Sequence, residues 1–131
     1  MERGGMEDPR EFGLADPGEL GRRGEEAAAQ YLARQGMQVV ARNWRCRAGE
    51  IDLILTDAGT LVFCEVKTRR GHGYGYPLDA ITYQKRARLR RLVSAYLLET
   101  GGFHGPIRID AVGIEWLDPQ HMALRHVRGV D

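Results

Sequence analysis

GEIDLILTDAGTLVFCEVK, residues 49–67, is the stretch that decides the fold. Two apolar runs joined by DAGT read as a β-hairpin, with Ala58 and Gly59 as a two-residue loop, a frequent hairpin length. That loop sets a register in which Asp52 faces Glu65 and Glu50 faces Lys67. Because side chains alternate along a strand, all four should point to one side of the sheet. Directly opposed residues have Cβ atoms about 4.5–5.5 Å apart, so the Asp52 and Glu65 carboxylates would come within reach of one small ion. Like charges placed this way destabilise a bare sheet; a divalent cation would neutralise them, and hard oxygen donors suit Mg²⁺ or Mn²⁺. Lys67, one pleat along, could hold an attacking water or stabilise charge developing on a phosphate. The chemistry outlined is phosphodiester hydrolysis. A plainer account pairs Glu50 with Lys67 as a cross-strand salt bridge and leaves Asp52 and Glu65 near a solvated strand end.

Outward from the hairpin, Leu20, Ala27, Ala28, Tyr31 and Leu32 recur at helical spacing, which predicts an amphipathic helix over about residues 19–35 closed by Gly36. Glu25 borders its buried face and is the carboxylate that would reach the hairpin. Glu26 follows Arg22 by four residues and should lie in solvent as half of an ion pair. MQVVARNW has strand character. After the hairpin, GHGYGYPLD reads as a loop. Thr82 then suits the N-cap of a second helix ending near Thr100, with Gly101 and Gly102 as its stop and Leu89, Leu92, Val93 and Tyr96 as its apolar stripe. PIRIDAVGIEW and MALRHV alternate as half-buried strands do, with DPQH as a turn between them. The order is helix, three strands, helix, two strands: one α/β (α+β) domain of about five strands, over residues 19–131.

Composition narrows the function classes. The chain has 131 residues, 43% of them hydrophobic and 28% charged, with no apolar run long enough to cross a bilayer, so a membrane role is not expected. Residues 1–18 have no apolar stretch behind their charges; they read as a disordered tail rather than a signal peptide, and the expected location is the cytoplasm. Cys46 and Cys64 lack CxxC spacing, which argues against a zinc site or a disulfide framework, and Cys64 reads as a small core residue. The net charge of +1 hides an uneven distribution. Residues 1–66 hold eight basic residues against twelve acids, whereas residues 67–131 hold eleven against six. Lys67, Arg69, Arg70, Lys85, Arg86, Arg88, Arg90 and Arg91 crowd one segment in which Asp79 is the only acid. Such a patch suits nucleic acid, although solvated helix faces produce similar runs.

The segments GRRGEEAAAQYLARQGMQVVARNWRCRAGEIDLIL and LVFCEVKTR, with the lysine of TYQKRARLRR, resemble the YraN-like family of uncharacterised bacterial proteins. That family is classed with the PD-(D/E)XK, or restriction-endonuclease-like, nucleases, and its nearest characterised analogues are the archaeal Holliday-junction resolvases. The likeness spans about residues 20–115 and implies a restriction-endonuclease-like three-layer domain with a central mixed sheet of about five strands flanked by helices. It also implies a site in which Asp52 and Glu65 bind Mg²⁺, Lys67 assists the water and Glu25 is an auxiliary carboxylate. Gln84 and Lys85 match a position that touches phosphate in the superfamily. Glu50-Ile51 stands where the superfamily pattern has proline, and Glu50 receives no role.

The expected function is therefore metal-dependent hydrolysis of DNA, with branched DNA such as Holliday junctions as a candidate substrate. Arg69, Arg70, Gln84, Lys85, Arg86 and Arg88 would engage phosphates, and a homodimer would suit a two-fold substrate. The rival is a nucleic-acid-binding module that keeps the fold without cleaving; an interaction domain with no nucleic acid partner ranks third. His72, His104, His121 and His126 lack ligand spacing and read as surface or structural residues. Tyr74 and Tyr76 read as packing or dimer-contact residues sooner than as base-stacking ones, and Trp44 and Trp116 as core aromatics. Asp110 resembles a family position that carries a buried salt bridge to an arginine.

Overall fold

The hairpin forms with the expected register. In the computed structural model, which describes residues 17–71 and 82–131, β2 (Gly49–Asp57) and β3 (Thr60–Arg70) pair antiparallel from Asp57↔Thr60 to Leu53↔Cys64. Ala58 at φ 50° and Gly59 at φ 88° give the turn two left-handed residues, the requirement of a type I′ connection. β1 (Gln38–Cys46) lies on the other side of β2. β4 (Ile107–Asp118) runs parallel to β3, and β5 (His121–Val127) closes the sheet antiparallel to β4. The strand order β1-β2-β3-β4-β5 is that of a five-stranded mixed sheet.

One helix covers each face. α1 (Pro17–Arg34) buries Leu20, Ala28, Ala29 and Leu32 against Leu53, Leu55, Val62, Cys64 and Ile114. α2 (Tyr83–Thr100) buries Leu89, Leu92 and Val93 against Ile51, Ile54, Phe63 and Ile109. Thr82 caps α2 by accepting from the Lys85 N–H, and Gly101 ends it at φ 88°. The result is a helix–sheet–helix arrangement in the α+β class: the class is the one expected from the element order, and the layering is the one the family resemblance implied. α1 begins two residues earlier than the sequence pattern indicated, at Pro17. The expected tail otherwise lies outside the described residues, as do His72, Tyr74 and Tyr76 of the glycine-rich segment 71–77.

Beyond Leu53↔Cys64 the expectation fails. The β2–β3 ladder stops there, and from Glu65 onward β3 continues beside β4 alone, as far as Arg70↔Trp116. Asp52 and Glu65 are thus not ladder partners, and Glu50 does not face Lys67; Glu50 lies across from Arg45 on β1. The four charged side chains do not form one row. The cause is a break in alternation. Ile51 and Ile54 both enter the α2-side core, as do Ala41 and Trp44 on β1, so each strand changes face within three residues. Between Ala41 and Trp44 stands Asn43 at φ 50°, a conformation that asparagine tolerates better than most residues.

Candidate active site

Asp52 sits where the two strands part. Its Oδ2 accepts from the Val66 N–H at 2.7 Å, so a side chain takes the backbone donor just past the last ladder pair. Burial pushes the Asp52 carboxyl up to about 7, and the charge of Glu65 adds to the rise. The Val66 bond opposes it, while Glu25 and Glu50 push further upward. The aspartate is therefore surrounded by the negative charge of three other acids.

Glu65 is buried and shares a face of β3 with Phe63, toward α2. Its Oε2 lies 3.1 Å from the Lys67 Nζ and 3.8 Å from the Arg88 Nη2. Gly49 makes room for that arginine, because a Cβ there would stand 3.2 Å from the Arg88 Nη1. On the α1 side, Glu25 accepts from the Asn43 Nδ2 at 3.2 Å. With Arg22, Arg42, Asn43 and Asp52 it lines a cavity of about 200 Å³. Glu26 is exposed, as its spacing suggested, but its partners are Arg42 and Gln30 rather than Arg22. The Arg42 bond, helped by Gln30, holds its carboxyl below the ordinary value.

The geometry thus brings Glu25, Asp52, Glu65 and Lys67 into one neighbourhood, with Asp52 between an α1-side cavity and an α2-side ion-pair cluster. It does not close them into a cage: among the described residues, no three His, Cys, Asp or Glu side chains are gathered as a metal-holding group. The basic residues divide. Arg88 turns inward to Glu65, while Gln84, Lys85 and Arg86 stand on the first turn of α2 and Arg69 and Arg70 end β3. Sequence reasoning missed Asn43, Arg22 and Arg42 as site residues. The available signal was an asparagine, a poor strand former that tolerates left-handed backbone, inside a strand-like run.

Away from this cluster, Asp110 is fully buried and accepts from the Arg108 Nε and Nη2 at 2.7 and 3.1 Å. The His126 Nε2 at 2.8 Å and the Gly129 N–H at 3.1 Å complete its shell. Burial works against the Asp110 charge, but these bonds outweigh it and hold the carboxyl below its ordinary value. The expected buried salt bridge to an arginine is present, and His126 has a structural partner. Cys64 is in the core, its thiol pushed well up by burial. Trp116 is buried with its indole N–H on the Leu20 carbonyl, and Trp44 packs edge-on to Tyr96. No described helix is long and apolar enough to cross a membrane.

The profile of the uncharacterised protein family UPF0102 matches residues 24–114, and this is the YraN-like family that the GEIDL and EVK segments resemble. A UPF0102 protein of Clavibacter michiganensis subsp. michiganensis is 56% identical over 98 residues, covering 75% of this chain and 83% of its own. One from Nocardia farcinica is 47% identical over 117 residues, covering 89% and 92% of the two chains. One from Streptomyces griseus subsp. griseus is 52% identical over 116 residues, covering 86% and 96%.

Proposed function

The chain belongs to the uncharacterised protein family UPF0102, and from that membership and its carboxylate cluster we propose a divalent-metal-dependent endonuclease that hydrolyses DNA, with branched DNA as the substrate class. The observation that carries this reading is the position of Asp52. It is held by the Val66 N–H where β2 and β3 part, with Glu25 on one side and the Glu65–Lys67 pair on the other.

Asp52 and Glu65 would hold Mg²⁺ or Mn²⁺. The fit rests on their donor chemistry: hard oxygens, one of them made reluctant to ionise by burial and neighbouring acids, a deficit that a divalent cation relieves. When bound, such an ion supplies positive charge against which charge on a phosphate is stabilised. Glu65 fixes the Lys67 ammonium by their contact at 3.1 Å, and Lys67 would donate to the attacking water or to the phosphate. Glu25 adds a carboxylate from the α1 side as an auxiliary ligand or base. Arg69, Arg70, Gln84, Lys85 and Arg86 would hold the DNA backbone. Arg88, drawn to Glu65, would act at the border between carboxylates and phosphates. A homodimer in the cytoplasm, with two sites for a two-fold junction, completes the reading.

A second reading has its own support. Lys67 and Arg88 already neutralise Glu65, and no three-carboxylate cage stands among the described residues, which suits a nucleic-acid-binding module without cleavage. Nicking assays on plasmid, single strands and four-way junctions separate the two. The enzyme reading expects Mg²⁺- or Mn²⁺-dependent cleavage that Asp52→Asn abolishes while DNA binding survives. Intact substrates alongside a retained mobility shift would leave the binding module standing.

A further inference from the structure

Two adjacent residues of β1 grip two adjacent carboxylates of α1. Arg42 takes Glu26, and the Asn43 Nδ2 takes the Glu25 Oε1 at 3.2 Å. The grips differ in chemistry. A guanidinium neutralises its partner, whereas a carboxamide donates one neutral hydrogen bond, engages one of the two Glu25 oxygens and leaves the carboxylate charge in place. Glu25 lines, with Asp52, a cavity of about 200 Å³ whose other walls are Arg22, Glu26, Arg42, Asn43 and Leu53.

The Asn43 backbone matters at the same point. Its φ of 50° is one of two positive values among the described non-glycine residues, and the other, Ala58, belongs to a turn. The flanking pairs Arg42↔Leu53 and Trp44↔Ile51 put Asn43 level with Asp52, where both strands change face. One residue thus combines the strand kink beside Asp52 with the bond that orients Glu25.

Resting on the metal-dependent reading of this site, we propose that Asn43 is a positioning residue: it holds Glu25 toward Asp52 so that the α1 carboxylate contributes to divalent-cation binding. The choice of asparagine follows. The position needs left-handed backbone, which β-branched and bulky residues resist, and a side-chain donor without charge, which glycine and aspartate lack.

The test is Mn²⁺ binding to the full chain by titration calorimetry. Asn43→Gly keeps the backbone conformation at no steric cost and removes only the donor. Loss of an orienting partner typically weakens metal affinity by about 10–100-fold, so Asn43→Gly and Glu25→Gln should each weaken Mn²⁺ binding at least about ten-fold. Because both act through one contact, the double variant should bind no worse than the weaker single one. Circular dichroism and thermal melting establish that each variant folds, and a general loss of stability does not produce this non-additivity. Wild-type affinity in Asn43→Gly, or effects that multiply in the double variant, would overturn the assignment of Asn43 alone. Asp52→Asn serves as the separate check: if it, too, binds Mn²⁺ as the wild type does, the metal site itself falls and the role of Asn43 with it.

Discussion

Burial and the charges of Glu65, Glu25 and Glu50 raise the Asp52 carboxyl from 3.8 to about 7, so the folded chain holds this proton more tightly than the unfolded chain does. The folded state therefore loses relative stability as pH rises from about 4 to about 7; below that window Asp52 carries no penalty, and above it the full one. Asp52→Asn removes the titrating group. Thermal melts should show the variant more stable than the wild type by up to about 4 kcal/mol at pH 8, with the difference vanishing near pH 4. An unchanged difference across that range would mean that Asp52 is not under electrostatic strain. At this scale the sequence disclosed the acids but not their surroundings. Asp52, Glu65 and Lys67 could be chosen from hairpin spacing, and Glu25 from the edge of a helical stripe. Their exact partners could not, because Glu65 is held by Arg88 from a helix that starts many residues later, and Glu50 turns to Arg45 on the strand before it.

At the scale of elements, the β2–β3 turn and the α1–sheet contact each depend on one small residue. Ala58 adopts φ 50°, where an L-residue with a Cβ is strained, in a turn whose first position favours asparagine or glycine. Ala58→Asn should raise stability by about 0.5–1 kcal/mol in denaturant titration without altering the site. The opposite holds at Gly24. In an exposed helix Gly→Ala gains about 1 kcal/mol of propensity, but here the added Cβ would stand 2.6 Å from the Thr68 Oγ1 on β3. Gly24→Ala should therefore destabilise by about 1–3 kcal/mol, and adding Thr68→Ala should restore most of the loss. If the single variant is as stable as the wild type, α1 can shift away from β3 more easily than the packing implies. The hairpin register was legible because loop length fixes it and both strands are apolar. Where the ladder ends was not, since that depends on the Asp52 side chain taking the Val66 N–H and on an asparagine reversing a strand's faces, neither of which period-two alternation contains.

Over the whole molecule, the charge asymmetry between the two halves of the sequence becomes a spatial arrangement. The acids Glu25, Asp52 and Glu65 stand around the gap between β2 and β3, and α2 opens beside them with Lys85, Arg86 and Arg88 and no acid in its first turn. Cations at the N-terminal end of a helix oppose its dipole, so this arrangement works against the stability of α2 and makes sense as a surface for anions. The elements and their class were readable from order and apolar stripes, and the layers from the family resemblance; that Arg88 of the basic patch would meet Glu65 was not, because it depends on which face α2 covers. If the patch holds a nucleic acid backbone, replacing Arg69, Lys85 and Arg86 together by Ala should weaken a four-way-junction mobility shift, and more so at low salt. Each lost phosphate contact lowers the slope of log K against log salt by about 0.9, so the triple variant should show a slope reduced by about three. Arg88 is left in place because its loss would also strip Glu65 of a counter-charge and confuse binding with site stability. A junction shift with the wild-type salt slope would remove DNA from the list of partners for this face, and would point instead to an interaction domain whose basic residues serve the protein's own acids.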